Sequence, residues 1–137
     1  MRQRVSGPFE VKVTPQKPDT QIARAANFGR LTIDKRFHGD LEAISKGEML
    51  AAHTEVKGSA AYVAMERVTG TLNGRSGSFV LQHSATMRRG KPASKITVVP
   101  DSGTGDLRGL TGTMTITVGE DGAHSYQFDF RVESQPS

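Results

Sequence analysis

Residues 96–112 carry the sequence ITVVPDSGTGDLRGLTG, and this segment says most about the architecture. A run of β-branched residues ends at Pro100, a turn punctuated by glycines follows, and a second β-type run, TMTITV, begins at Thr113. A phosphate-binding glycine loop needs a helix start directly after the glycines, and no helical pattern follows here. We therefore interpret the glycines as a tight turn between two strands, where glycine permits positive φ angles, and predict no nucleotide site.

The rest of the chain repeats the same alternation of β-type runs and turns. We expect residues 1–7 to be a flexible N-terminal extension, residues 14–20 a loop and residues 21–26 one helical turn. Strands are predicted at residues 9–13, 31–37, 41–53, 58–72, 75–88, 94–99, 112–118 and 125–133. The sequence therefore predicts a single all-β domain over residues 1–137, a closed eight-stranded antiparallel up-and-down barrel, because closure removes exposed sheet edges. An open sandwich is the alternative.

The composition excludes several classes of function. The chain has no cysteine, and the histidines at positions 38, 53 and 124 lack the spacing of a metal site, so we predict no disulfide and no metal. The net charge of +4 comes from scattered basic residues, so we expect no nucleic-acid partner. No apolar run approaches the roughly 18 residues of a membrane span, and no signal peptide is evident. We therefore expect a cytoplasmic protein without a membrane partner.

The dipeptide Asn73-Gly74 predicts a β-hairpin with a type I′ turn, because both residues tolerate positive φ angles. A two-residue loop fixes the register and places Ala64 opposite His83. Side chains alternate between the two faces of a strand. One face of the hairpin therefore collects Tyr62, Ala64, Glu66, Val68, Phe79, Leu81, His83 and Ala85. This face carries the larger aromatic residues, and we assign it to the barrel lumen.

On this assignment Glu66 and His83 are diagonal neighbours on the lumen wall, about 7 Å apart at the backbone. A carboxylate beside an imidazole in an apolar cavity is a candidate acid–base pair for moving a proton on or off a carbon next to a carbonyl. We predict Glu66 and His83 as catalytic residues, with Tyr62 orienting the ligand through its hydroxyl. Two alternatives stay open: the pair only satisfies itself, or the faces are inverted and Arg67 with Gln82 forms an anion site.

Apolar residues on the lumen face are the candidates for contact with a ligand. In the last predicted strand Tyr126, Phe128 and Phe130 alternate with polar residues, which gives that strand one apolar face. The predicted ligand-binding residues are Phe79, Leu81, Phe128, Phe130, Tyr126 and Met49.

Two segments of the chain share a characteristic spacing of glycines. They read ERVxGxLxGRxGSFVLQH over residues 66–83 and SGTGxLxGLxG over residues 102–112, and FxGDL at residues 37–41 and HSY at residues 124–126 accompany them. Over residues 8–133 the chain resembles an uncharacterised bacterial family with an allene oxide cyclase-like barrel. Its more distant relatives, plant allene oxide cyclases and dirigent proteins, are similar in fold: eight-stranded barrels, often trimeric, that use no cofactor.

The resemblance implies a cofactor-free lumen that holds a small apolar molecule and shapes its reaction. It leaves open a homo-oligomer, either a dimer or a trimer. No catalytic residue of the cyclases matches a position of this chain. We therefore predict a barrel that binds an apolar ligand in its lumen and acts as an isomerase or cyclase through Glu66 and His83. A carrier or sensor without catalysis, and an oligomeric structural module, are the alternatives, so the sequence leaves open whether the protein is an enzyme.

Overall fold

The computed structural model describes residues 2–133, in which eight antiparallel strands form a closed barrel. Each strand pairs with the next along the chain, and the last pairs with the first. The strands are β1 (Gln3–Gln16), β2 (Gly29–Phe37), β3 (Leu41–His53), β4 (Ala60–Leu72), β5 (Arg75–Arg88), β6 (Lys91–Val98), β7 (Leu110–Val118) and β8 (His124–Val132). A short helix, α1 (Gln21–Ala26), links β1 to β2. The predicted closed up-and-down barrel is confirmed.

The N-terminal residues form part of the barrel wall. Gln3 to Gly7 pair with β8, from Gln3 opposite Phe130 to Gly7 opposite Tyr126, and Val5 is buried. The prediction of a flexible extension over residues 1–7 is therefore wrong from Gln3 onward, whereas Met1 lies outside the described residues. The physical reason is closure, since β8 would be an exposed edge without this segment.

The β4–β5 hairpin has the register that its turn predicts. Asn73 and Gly74 have φ angles of 49° and 81°, as a type I′ turn requires. Ala64 lies opposite His83 and Leu72 opposite Arg75. The predicted inward face of this hairpin is also the buried one, because Val68, Phe79 and Leu81 are fully enclosed and Tyr62 is half-buried.

The glycine-rich segment between β6 and β7 closes one end of the barrel. It is longer than the tight turn that we predicted and contains a 3₁₀ turn, Gly105–Leu107, whose Leu107 side chain is fully buried. The segment docks on β5 through Thr104, whose N–H donates to the Ser78 carbonyl at 2.8 Å and whose hydroxyl accepts from the Ser78 N–H at 3.0 Å. A side chain at Gly103 would overlap the Leu107 carbonyl, so close approach is the reason for that glycine.

The two ends of the lumen differ in how they are filled. The end with the Asn73-Gly74 turn, which we call the closed half, is packed with apolar side chains that include Phe37, Leu72, Phe79, Leu107, Leu110, Tyr126, Phe128 and Phe130. At the opposite end the inward residues of β2 to β5 are only half-buried. The described part of the chain contains no helix with the length and hydrophobicity that crossing a membrane requires.

Candidate functional site

A cavity of about 810 Å³ occupies the open half of the lumen, and we call it the cup. Its wall consists of side chains from β2 to β7 and the loop between β3 and β4. The lining residues are Leu31, Met49, Ala51, His53, Thr54, Val56, Lys57, Gly58, Ser59, Ala60, Ala61, Tyr62, Ala85, Thr86, Met87, Pro92, Ala93, Ser94, Ile96 and Ile116. The wall is mainly apolar, and the volume of the cup lies in the range of small-molecule pockets, roughly 300–1,000 Å³.

Four polar side chains are buried in the lumen and form what we call the ion cluster: Lys35, Ser45, Glu66 and His83. They come from four consecutive strands, β2 to β5, and each occupies an inward position of its strand. Pairing brings them together, since Lys35 lies opposite Ser45 and Ala64, two residues before Glu66, lies opposite His83. The sequence predicts Glu66 and His83 on one wall, and the structure brings these two residues into contact.

Glu66 is the centre of the cluster. One carboxylate oxygen, Oε2, lies 3.0 Å from the Lys35 Nζ, and the other, Oε1, accepts a hydrogen bond of 2.7 Å from the Ser45 hydroxyl. The Lys35 ammonium also lies 5.1 Å from the ring centroid of Phe9 and 5.5 Å from that of Phe37, within cation–π range. The carboxylate and the ammonium thus compensate each other inside an apolar core, which is the condition for burying either charge.

His83 contacts the same carboxylate but is poorly aligned with it. Its Nε2 lies 2.5 Å from Glu66 Oε2. Within residues 2–133, however, Nε2 has no partner that meets the geometry of a hydrogen bond. We therefore describe the contact as a close electrostatic one. It leaves His83 as the cluster member with an unsatisfied polar atom, and such atoms are rare in buried positions.

The cluster keeps Glu66 ionised. Burial on its own would raise the pKa of Glu66, but the contact with His83, the charge of Lys35 and the Ser45 hydrogen bond together outweigh burial and lower that pKa to about 2. A carboxylate with so low a pKa is a weak proton acceptor at neutral pH. The local chemistry is thus that of a fixed negative charge held by a cation and a hydroxyl.

The ion cluster lies next to the cup but does not line it. None of the four cluster residues is among those that line the cup, whereas Ile96, which pairs with His83, does line it. Tyr62, for which we predict a ligand-orienting role, lines the cup. Burial raises the pKa of Tyr62 and the negative charge of Glu66 raises it further, so its hydroxyl stays protonated as a hydrogen-bond donor.

The predicted ligand-binding residues divide between the two halves. Met49 lines the cup. The other five, Phe79, Leu81, Phe128, Phe130 and Tyr126, lie in the closed half, where each is at most 2% exposed. Phe128 stacks between Phe79, at 5.7 Å, and Phe130, at 5.2 Å between ring centroids. We therefore correct the ligand-contact set, because these rings fill their half of the barrel with one another and leave the wall of the cup to smaller residues.

Tyr126 has a structural partner for its hydroxyl. The oxygen accepts from the Leu41 N–H at 3.2 Å and donates to the His38 carbonyl at 2.8 Å. These bonds hold the turn between β2 and β3 against β8. The hydroxyl of this predicted ligand-binding residue is thus engaged by the backbone.

Two members of the ion cluster, Lys35 and Ser45, escape prediction from the sequence. A signal is present, because Lys35 falls in phase with the inward Ile33 and Phe37 of β2. A lysine on the apolar face of a strand needs a buried anion, and Glu66 is such an anion. The register that joins β2, β3 and β4 is not encoded by a two-residue turn, so the sequence does not show which strand supplies the anion.

The two faces of the hairpin are not inverted, so the alternative anion site of Arg67 and Gln82 does not lie in the lumen. Arg67 and Gln82 point outward on β4 and β5, and Gln82 lines a groove of about 740 Å³ on the outer face of the barrel. Within residues 2–133 no group of three His, Asp or Glu side chains converges in the way that a metal site requires.

Comparison with known proteins places the chain in a family without an assigned activity. The family model described as "Protein of unknown function (DUF3224)" matches residues 5–130. A crystal structure of a protein with unknown function from the same family, from Shewanella oneidensis MR-1, is 47% identical in sequence and superposes with a TM-score of 0.88, covering 98% of this chain and 100% of that one. No functionally curated protein matches the sequence. The chain therefore belongs to the DUF3224 family.

Proposed function

We propose that the protein binds a small, largely apolar molecule in the cup. The observation that carries the proposal is the unequal filling of one lumen: aromatic rings close one half, while the other keeps a cavity of about 810 Å³ with a mainly apolar wall. Well-packed barrels of eight strands fill their interior with side chains or hold one small ligand. A cavity of this size beside a filled core fits the second case.

The ion cluster supports binding without a proton-transfer step by Glu66. Its carboxylate is enclosed, compensated by Lys35 and of low pKa, so it is a poor general base. The carboxylate is also outside the lining of the cup. The first candidate function is therefore a carrier or sensor of the bound ligand.

A cofactor-free isomerase or cyclase is the second candidate, and one observation favours it. Within residues 2–133 the His83 Nε2, which contacts Glu66, has no hydrogen-bond partner, and Tyr62 on the same face of the hairpin lines the cup. In this candidate the imidazole of His83 is the group that moves a proton next to a carbonyl. The likeness to allene oxide cyclase barrels belongs to this candidate, and the closed eight-stranded barrel supports it.

Binding is tested with Nile red, a neutral apolar dye whose fluorescence rises in apolar surroundings. We expect saturable binding of one dye per chain. Ala85→Trp fills the cup and lowers the affinity at least tenfold, whereas Ser84→Trp, one residue away on the outer face of the same strand, leaves it unchanged. Absence of saturable binding to the wild-type protein favours the structural module and overturns the proposal.

The catalytic candidate is tested separately from binding. Solvent-deuterium exchange next to the carbonyl of a bicyclic ketone reports proton transfer, and Nile red fluorescence reports binding in the cup. Loss of exchange in His83→Gln and Glu66→Gln, with dye binding retained, supports the isomerase. If the wild-type protein exchanges the ketone no faster than buffer alone does, the isomerase is excluded and the carrier remains the proposed function.

A cytoplasmic location and a homo-oligomer remain predictions. Light scattering of the purified protein decides between a monomer, a dimer and a trimer.

A further inference from the structure

The mouth of the cup is bordered by basic residues on two adjacent loops. Lys57, in the loop between β3 and β4, lines the cup. Arg88, Arg89 and Lys91 surround the turn between β5 and β6. Met87 and Pro92 pair with each other and line the cup, and the next pair, Arg88 and Lys91, lies on the outward face beside the mouth. We call Lys57, Arg88, Arg89 and Lys91 the basic rim. All four are exposed, and the acidic residue within these loops is Glu55.

Backbone hydrogen bonds join the two loops into one edge. The Gly90 N–H donates to the Gly58 carbonyl at 3.0 Å, and the Arg89 N–H donates to the Ser59 hydroxyl at 3.0 Å. The two loops that carry the basic rim are therefore held next to each other.

Lys35 and the basic rim differ in whether an acidic side chain compensates their positive charge. Lys35, below the cup, is paired with Glu66 at 3.0 Å. In the part of the chain that the structure describes, no residue of the basic rim forms an ion pair. Lys57 thus brings an unpaired positive charge to the lining of a mainly apolar cup, and the acidic Glu120 and Asp121 at this end of the barrel lie on a different loop, between β7 and β8.

We infer that the ligand is an amphipathic organic anion, which binds with its apolar body in the cup and its anionic group at the basic rim. This inference rests on the proposed function and names the class and the orientation of its ligand. Exposed charges attract one another only weakly in water, so we expect the rim residues together to give about a tenfold preference for an anion. Such a preference is sensitive to salt, because the charges face solvent.

The test compares two probes that share an apolar body: dansyl-labelled undecanoic acid and its methyl ester. We expect the wild-type protein at low salt to bind the acid about tenfold more tightly than the ester, and the preference to shrink severalfold in concentrated salt. The variant Lys57→Gln/Arg89→Gln loses the preference, because its affinity for the acid falls to that for the ester. The matched control Arg75→Gln/Arg108→Gln removes two exposed basic residues near the closed end and keeps it.

Competition by decanoate and by decyl phosphate then tells a carboxylate from a phosphate group, and displacement by either supports the inference. Equal affinity of the wild-type protein for acid and ester, or an undiminished preference in the rim variant, overturns the inference and leaves the proposed function standing. Failure of both probes and of Nile red to bind overturns the proposed function as well. Circular dichroism melts of each variant confirm that the barrel is folded.

Discussion

Gly47 of β3 lies directly opposite Glu66 of β4 on the inward face of the barrel. A Cβ atom built on Gly47 would lie 2.8 Å from both the Cα and the Cβ of Glu66, and closer still to the Met65 carbonyl. The absent side chain therefore makes the room in which the Glu66 carboxylate reaches Lys35 and Ser45. The ion cluster depends on this glycine as much as on its charged members.

Gly47→Ala is expected to destabilise the barrel by about 2–3 kcal/mol, because neither backbone can move away without breaking the β3–β4 ladder. Gly29→Ala is the matched control in the neighbouring strand. A Cβ there would meet only ordinary contacts at 3.8 Å, so the change should be neutral or slightly stabilising. Urea unfolding measures both. Equal effects of the two substitutions would show that the space beside Glu66 is not limiting.

Removing one partner of the Lys35–Glu66 pair is expected to cost about 3–5 kcal/mol, since it leaves a buried charge uncompensated. Lys35→Met and Glu66→Leu should each show this loss, and the double variant should recover a large part of it. Lys46→Met, which breaks the exposed pair with Asp34 at 2.9 Å, is the control and should cost about 1 kcal/mol or less. Additive losses in the double variant would contradict the coupling.

The pKa of Glu66 predicts how stability depends on pH. Its value of about 2 in the folded protein lies below the ordinary 4.5, so between these values the unfolded chain binds more protons. The stabilisation from Glu66 is present above about pH 4.5 and is lost as the pH falls toward 2. The full shift corresponds to about 3 kcal/mol.

Unfolding curves of the wild type and of Glu66→Gln between pH 6 and pH 2 check this, because the other carboxyl groups are common to both. The wild type should lose about 3 kcal/mol more than the variant over this range. Parallel pH dependences of the two proteins would mean that Glu66 has an ordinary pKa.

The hydroxyl of Tyr126 is expected to contribute to stability and not to ligand binding. Tyr126→Phe removes the bonds to the Leu41 N–H and the His38 carbonyl and should cost about 1–2 kcal/mol with Nile red affinity unchanged. Tyr62→Phe is the control and should have a smaller effect on stability. Its ring lines the cup, where water can replace a contact that the hydroxyl loses. Thermal melts and dye titrations separate the two. Weaker dye binding by Tyr126→Phe would return Tyr126 to the ligand site.

The parts of the fold that are predictable from the sequence are those encoded by short-range signals. Asn73-Gly74 fixes one hairpin, and this register alone brings Glu66 and His83 to the same wall. The pairing of β1 with β8 joins residues at opposite ends of the chain, and no local pattern in Gln3 to Gly7 indicates it. Barrel closure is a property of the whole sheet, which is why the prediction for these residues is wrong.

The candidate site is only half predictable for the same reason. Alternation shows which residues of a strand face inward, but not how far along the barrel axis each one lies. Phe128 and Met49 both face the lumen, yet the first is in the closed half and the second lines the cup. The stagger of the strands and the packing of Leu107 decide which inward positions are filled, and both are tertiary effects.

The methionine methyl groups offer the most direct test that the cup is the binding site. In the described part of the chain Met87 lines the cup, Met49 lines both the cup and the outer groove, Met65 lies on the outer face and Met114 is buried in the core. In a titration of methyl-labelled protein with dansyl-labelled undecanoic acid or Nile red, followed by carbon–proton NMR, we expect the Met87 signal to shift until it saturates at one ligand per chain, with Met65 unmoved. A Met65 shift without a Met87 shift, or no saturable shift at either residue, would contradict the account.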